Sequence, residues 1–151
     1  MAATGANSPL GQIETVLNSY FGQKAPKLPT NIQNIIVTYG PWLILVMLVI
    51  SVPGLLTAFG RGSSIAPVGY MVGGGVGTYY TLSWIFLAVI LVLEALALPG
   101  LFKKKKSAWN LLFYASLVST IQSVVLMNFI GLIIGSLISF YILFQIRHHY
   151  K

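Results

Sequence analysis

Little in this chain is equipped for chemistry. Its acids are two, Glu14 and Glu94, its histidines are two, and it has no cysteine. Glu94 is the one acidic residue inside a long apolar run, one helical turn or roughly 6 Å before Leu98. A carboxylate in lipid costs about 2.5–3.5 kcal/mol at the bilayer centre and less near an edge, so it marks a proton or cation site unless a neighbour neutralises it. Glu94 is therefore a candidate intramembrane polar site. Ser116, Ser119, Thr120 and Ser123 follow on one helical face, with Gln122 beside it, as a candidate polar lining. The structural alternative for Glu94 is snorkelling, or pairing with Arg147, His148 or the lysine run on the same side. No second carboxylate lies nearby for paired acid–base catalysis. His148 and His149 are adjacent, point about 100° apart on a helix, and make a poor metal pair. Without cysteine there is no disulfide, thiolate metal site or thiol nucleophile.

The segment GGGVG, 73–77, invites comparison with phosphate-binding loops. A P-loop ends in Gly-Lys-Ser/Thr, whereas Thr78 follows Gly77 here without a lysine, and a dinucleotide fingerprint needs a preceding strand. Residues 60–78 are expected to form a glycine-rich loop. No catalytic residue, cofactor or metal site is expected anywhere.

The elements that must position these residues follow from composition. Of 151 residues 56% are hydrophobic and 7% charged, against about 25% charged in a soluble domain. Lipid must solvate most of the chain. The net charge of +7 does not indicate nucleic acid, because the basic residues cluster at the ends of apolar segments. The first basic residue is Lys24, so the N-terminus is no secretory signal.

The expected architecture is an all-α integral membrane protein with four transmembrane helices and an N-terminal amphipathic interfacial arm. The arm covers 1–39. Ser8-Pro9 starts a helix whose stripe is Leu10, Ile13, Leu17, Tyr20 and Phe21, lying on the membrane, on a partner or on the bundle. After the linker 22–29, Thr30 or Asn31 caps a second amphipathic helix with Ile32, Ile35, Ile36 and Tyr39 on one face, and Gly40-Pro41 forms an elbow into the membrane. The bundle covers 40–146, with spans near 42–59, 79–98, 108–126 and 130–146. Residues 108–146 carry no formal charge and would reach about 58 Å as one helix, so they must fold back at Met127-Asn128-Phe129. The tail 147–151 is basic.

This division leaves Lys24, Lys27, Lys103, Lys104, Lys105, Lys106, Arg147 and Lys151 on one side and Arg61 on the other, which places both termini in the cytoplasm. Lys103 to Lys106 and Arg147 are topology anchors and attract anionic lipid. Gly131, Gly135 and Ser139, four residues apart, suit close packing of spans three and four, or a homo-oligomer. Pro53 predicts a kink in span one. Trp42, Trp109, Tyr114 and Tyr150, with Tyr79, Tyr80 and Trp84 opposite, suit aromatic belts.

LPTNIQNIIVTYGPWL (28–43), LPGLFKKKKSAWNLLFY (98–114) and GLIIGSLISFYILFQIR (131–147) give the chain a pattern that resembles small four-span inner-membrane proteins of bacteria, particularly reduced-genome lineages, a group without an assigned activity. The resemblance implies a bacterial inner-membrane location and carries over no site residue. The length also resembles small multidrug transporters, which place an essential glutamate in the first span; span one here has no acid. The expected function is a non-enzymatic structural or accessory subunit of a membrane complex, with a membrane-protein partner or a second copy as companion. The alternatives are a small transporter or channel subunit using Glu94, and a lipid-acting enzyme built on Glu94, Asn110 and His148.

Overall fold

The computed structural model describes the backbone of residues 9–151, and the side chains of all of these except 58, 59, 61–70, 72, 74 and 76. Every regular element described is helical. The first helix, α1, is Pro9–Leu17 and continues as a π-helical segment, Asn18–Lys24. Pro26 and Pro29 end it: Ala25, which precedes Pro26, is pushed to an extended conformation (φ −68°, ψ 148°). The expected Ser8 cap and residues 1–7 lie outside the described residues.

Three long helices follow. α2 is Thr30–Val72, α3 is Gly74–Phe102 and α4 is Lys106–Val125. Each contains a stretch long and apolar enough to cross a membrane: Thr30–Thr57, Gly77–Phe102 and Lys106–Val125. α2 packs along α3, and α3 along α4. A turn at Leu126, Met127 and Asn128 reverses the chain into a π-helical segment, Gly131–Gly135, and α5, Ser136–Gln145, which packs back on α4. The apolar helix Gly131–Gln145 is shorter than the other three. Asn128 makes the reversal: its Oδ1 accepts the Gly131 N–H at 2.9 Å, and Met127 takes φ 52°.

Three expected interruptions are absent. No elbow occurs at Gly40-Pro41; α2 runs through both residues. Val37, one turn earlier, is 2% exposed and fixes the helix against the core, and neighbouring helices let a membrane helix carry a proline. Nor is 60–78 a loop, since the backbone is helical to Val72 and again from Gly74, with Gly73 as the joint. A helix pairs its own amides within the segment, against a glycine penalty of about 1 kcal/mol per residue. The second span, expected to end near residue 98, also runs on: α3 continues through Pro99-Gly100 to Phe102. Gly100 serves packing instead, because a Cβ there would lie 2.7 Å from the Ala108 Cβ.

The core sits at one end of the bundle. Trp109, Phe113 and Leu101 are its largest fully buried side chains, with Phe140, Leu143, Phe144 and Ile146 around them. Trp109 stacks on Phe113 (centroids 5.6 Å, 4° between planes) and meets Phe144 edge-on at 5.5 Å. Its indole N–H donates to the Leu143 carbonyl at 2.8 Å, which removes the cost of burying it. Trp109 and Tyr150 are thus core residues at this end and do not belong to a lipid-facing belt; Trp42, 57% exposed, is placed as a belt would have it.

Candidate functional site

The end that holds the core also holds a polar clasp. Its centre is Gln145, the last residue of α5, which is 5% exposed. Its Nε2 donates to the Phe21 carbonyl at 3.0 Å and its Oε1 accepts the Leu28 N–H at 3.2 Å. Four residues earlier on the same face, the Tyr141 hydroxyl donates to the Pro26 carbonyl at 2.7 Å. The linker between α1 and α2 has no helix to satisfy its backbone, so α5 supplies the partners. Around this, Arg147 forms an ion pair with Glu14 and lies over the Trp109 ring (5.0 Å), Phe21 packs on Phe140, and His149 Nε2 shares a hydrogen bond with Asn34 Oδ1 at 3.1 Å. The backbone of Lys151 closes the set, its N–H donating to the Lys104 carbonyl and its carbonyl accepting the Lys106 N–H.

The clasp walls a cavity of about 810 Å³. Lys27, Lys106, Arg147 and His148 give it four basic side chains, and Trp109 and Phe144 an apolar floor. Gln33 lines it from the first turn of α2; its Nε2 donates to the Leu28 carbonyl at 2.9 Å, while its Oε1 is buried without a partner.

A second cavity, of about 310 Å³, opens between α2, α3, α4 and α5. Glu94 lines it together with Ser116, Ser139 and Tyr150, beside Gly40 and Pro41 of α2. Among the described residues no hydrogen bond or ion pair reaches the Glu94 carboxylate, and of the partners expected for it, Arg147, His148 and the lysine run, Arg147 is engaged by Glu14. Tyr150 borders both cavities and is 7% exposed; this burial pushes its phenol above the ordinary tyrosine range.

The expected site residues therefore separate. Ser116 and Ser139 join Glu94, whereas Ser119, Gln122 and Ser123 do not line its cavity. Ser119 is exposed, and Ser123 donates to the Ser119 carbonyl within its own helix. The hydroxyl contact between α4 and α5 is Thr120 to Ser136 at 2.9 Å. Gly135 faces open space and Gly131 faces the Asn128 side chain of its own turn, so neither marks a close helix approach here. Lys103, Lys104, Lys105 and Lys106 are exposed at the α3–α4 turn, where Lys104 takes φ 51°. Neither cavity contains more than one of Glu94, Asn110 and His148.

The residues that sequence reasoning passed over are Gln33, Tyr141 and Gln145. Gln145 carried a signal, being a lone amide at the end of an uncharged apolar run. The chain matches no family model, no curated protein and no solved structure, so its own geometry is the basis for a functional reading.

Proposed function

We propose that the chain is a non-enzymatic structural or accessory subunit of a membrane complex, held by four spans in a bacterial inner membrane with both termini in the cytoplasm. The observation that carries this reading is the clasp. Contacts from residues 14–34 to residues 141–151 brace one end of the bundle into a fixed surface, and the site that results offers recognition groups rather than a nucleophile with its base. All basic residues but Arg61 belong to the segments meeting there or to the α3–α4 turn beside it, in keeping with a cytoplasmic face. Leu10, Ile13, Val16 and Tyr20 leave an exposed apolar edge on the N-terminal arm, suited to the membrane interface or to a partner. Residues Gly131–Gln145, with Phe129 and Ile130 ahead of them, serve as the fourth span; about 17 residues rise roughly 25 Å, enough with slight thinning of the bilayer.

Native mass spectrometry after gentle detergent extraction tests the proposal. A stoichiometric second protein is expected. Recovery of the chain alone, as a monomer or as copies of itself, would contradict it.

A second reading, a small transporter or channel subunit, has one observation in its favour: Glu94 shares a cavity with the hydroxyl-bearing Ser116, Ser139 and Tyr150 and has no ion-pair partner among the described residues. Glu94→Gln then abolishes ion-coupled flux in proteoliposomes, and unchanged flux removes this reading.

A further inference from the structure

The basic cavity has a composition that general attraction to a membrane does not require. Three of its walls are cationic, Lys27 from the linker, Lys106 from the start of α4 and Arg147 from the tail, and His148 adds an imidazole beside them. The chain's acids are two; Glu14 binds Arg147 from outside the cavity, and Glu94 belongs to the other one. Thr30, which lines the cavity at the first turn of α2, adds an amide with no intrahelical acceptor at the positive end of a helix 43 residues long. These features together favour a dianionic or monoanionic oxygen ligand such as a phosphate ester.

Gln33 makes the assignment narrower. Its residue is 5% exposed and its Nε2 is already used, so its buried Oε1 is an acceptor waiting for a donor. Ionised phosphate oxygens accept and cannot fill that role. An ammonium group could donate, but it would sit beside Lys27, Lys106 and Arg147, and a choline has no donor at all. A neutral hydroxyl on the same ligand meets both demands. The Trp109 and Phe144 floor then accommodates the ligand's carbon frame.

We propose that this cavity binds a phosphate ester bearing a free hydroxyl, the chemistry shared by a phosphatidylglycerol headgroup and by soluble glycerol phosphate. The lysines and Arg147 hold the phosphate, and Gln33 Oε1 accepts the hydroxyl proton. This site stands independently of whether a protein partner exists.

The test uses the full chain in two arms. In mixed micelles, native mass spectrometry compares retention of phosphatidylglycerol with phosphatidylmethanol, an equally charged phosphodiester lacking the hydroxyl. In lipid-free micelles, calorimetric titration compares glycerol phosphate with methyl phosphate. Preference for the hydroxyl-bearing ligand is expected, and the arm that displays it identifies the source as lipid or soluble ester. Gln33→Met removes the preference while leaving phosphate binding. Lys27→Ala with Lys106→Ala weakens binding about 30-fold, from about 1 kcal/mol per charge. Lys24→Ala with Lys151→Ala removes equal charge from the same end outside the cavity and changes binding little. Equal loss in the two double variants, or no hydroxyl preference in either arm, would overturn the assignment.

Discussion

Around Gln145 the polar side chains bond partners more than one hundred residues away, whereas Ser51, Ser83 and Ser123 each bond the carbonyl four residues back in their own helix. The first pattern ties segments together and the second ties a side chain to nothing new. Burial follows the same division. Trp109, Phe113 and Leu101 are fully buried at the clasped end, while Met47, Ile50, Leu56 and Ile130 stand more than 60% exposed. A helix facing lipid has to satisfy its hydroxyls internally, because hydrocarbon offers no partner. The clasped end carries unhelical backbone and charged groups, so it has to find partners across the fold, and doing so shapes a cavity.

Substitutions at the two ends should therefore differ sharply. Trp109→Ala removes the centre of the aromatic cluster and leaves the Leu143 carbonyl without that donor, for a loss of about 3–5 kcal/mol. Met47→Ala, at a 64% exposed position, should stay within about 0.5 kcal/mol in the same detergent unfolding assay. Equal losses would break the comparison. Gln145→Leu orphans the Leu28 N–H and the Phe21 carbonyl, at about 1–3 kcal/mol, and hydrogen exchange should rise across residues 18–29 while α3 is unaffected. Gly100→Val drives a side chain into Ala108 and should cost about 1–3 kcal/mol, whereas Gly54→Val, with nothing within 4 Å of its Cβ position, should cost less.

Smaller effects sharpen the same picture. Met127→Gly relieves a positive φ at the open end and should stabilise the chain by up to about 1 kcal/mol, with no change in the clasp. At the clasped end, burial first, then the charges of His148 and Lys104, push the His149 imidazole below its usual value. The unfolded tail then holds a proton more readily than the folded one. The contribution of His149 is intact above its ordinary pKa of 6.5 and is lost as pH falls from there through the lower folded value. Unfolding curves at about pH 7.5 and about pH 5.5 should show a small fall in stability that His149→Gln abolishes.

How much of this was legible in the sequence depended on the range of the forces involved. The membrane helices were legible because long apolar runs are a local property, and the reversal near Met127 was legible because Asn128 caps a helix from within its own turn. The break at Pro26 and Pro29 is equally local. Helix continuity through Gly40-Pro41 and across 60–72 was not legible, because local propensity argued against it; at Gly40-Pro41 the burial of Val37 in the core outweighed that propensity. The clasp was least legible, since Gln145 meets Leu28 across 117 positions and a single sequence holds no trace of that pairing. Glu94 was found as a lone intramembrane carboxylate, but its companions Ser116 and Ser139 had to be separated from Ser119, Gln122 and Ser123 by geometry.

We propose that the clasped, basic end faces the cytoplasm and the Met127 turn faces away from it. A chain without cysteine allows this to be measured cleanly. Single Met127→Cys and Lys151→Cys variants would be exposed in intact cells to a maleimide that cannot cross the inner membrane. Met127→Cys should be labelled in intact cells, and Lys151→Cys only after the membrane is opened. Labelling of both from outside, or of Lys151→Cys alone, would contradict the four-span arrangement and the cytoplasmic placement of the clasp.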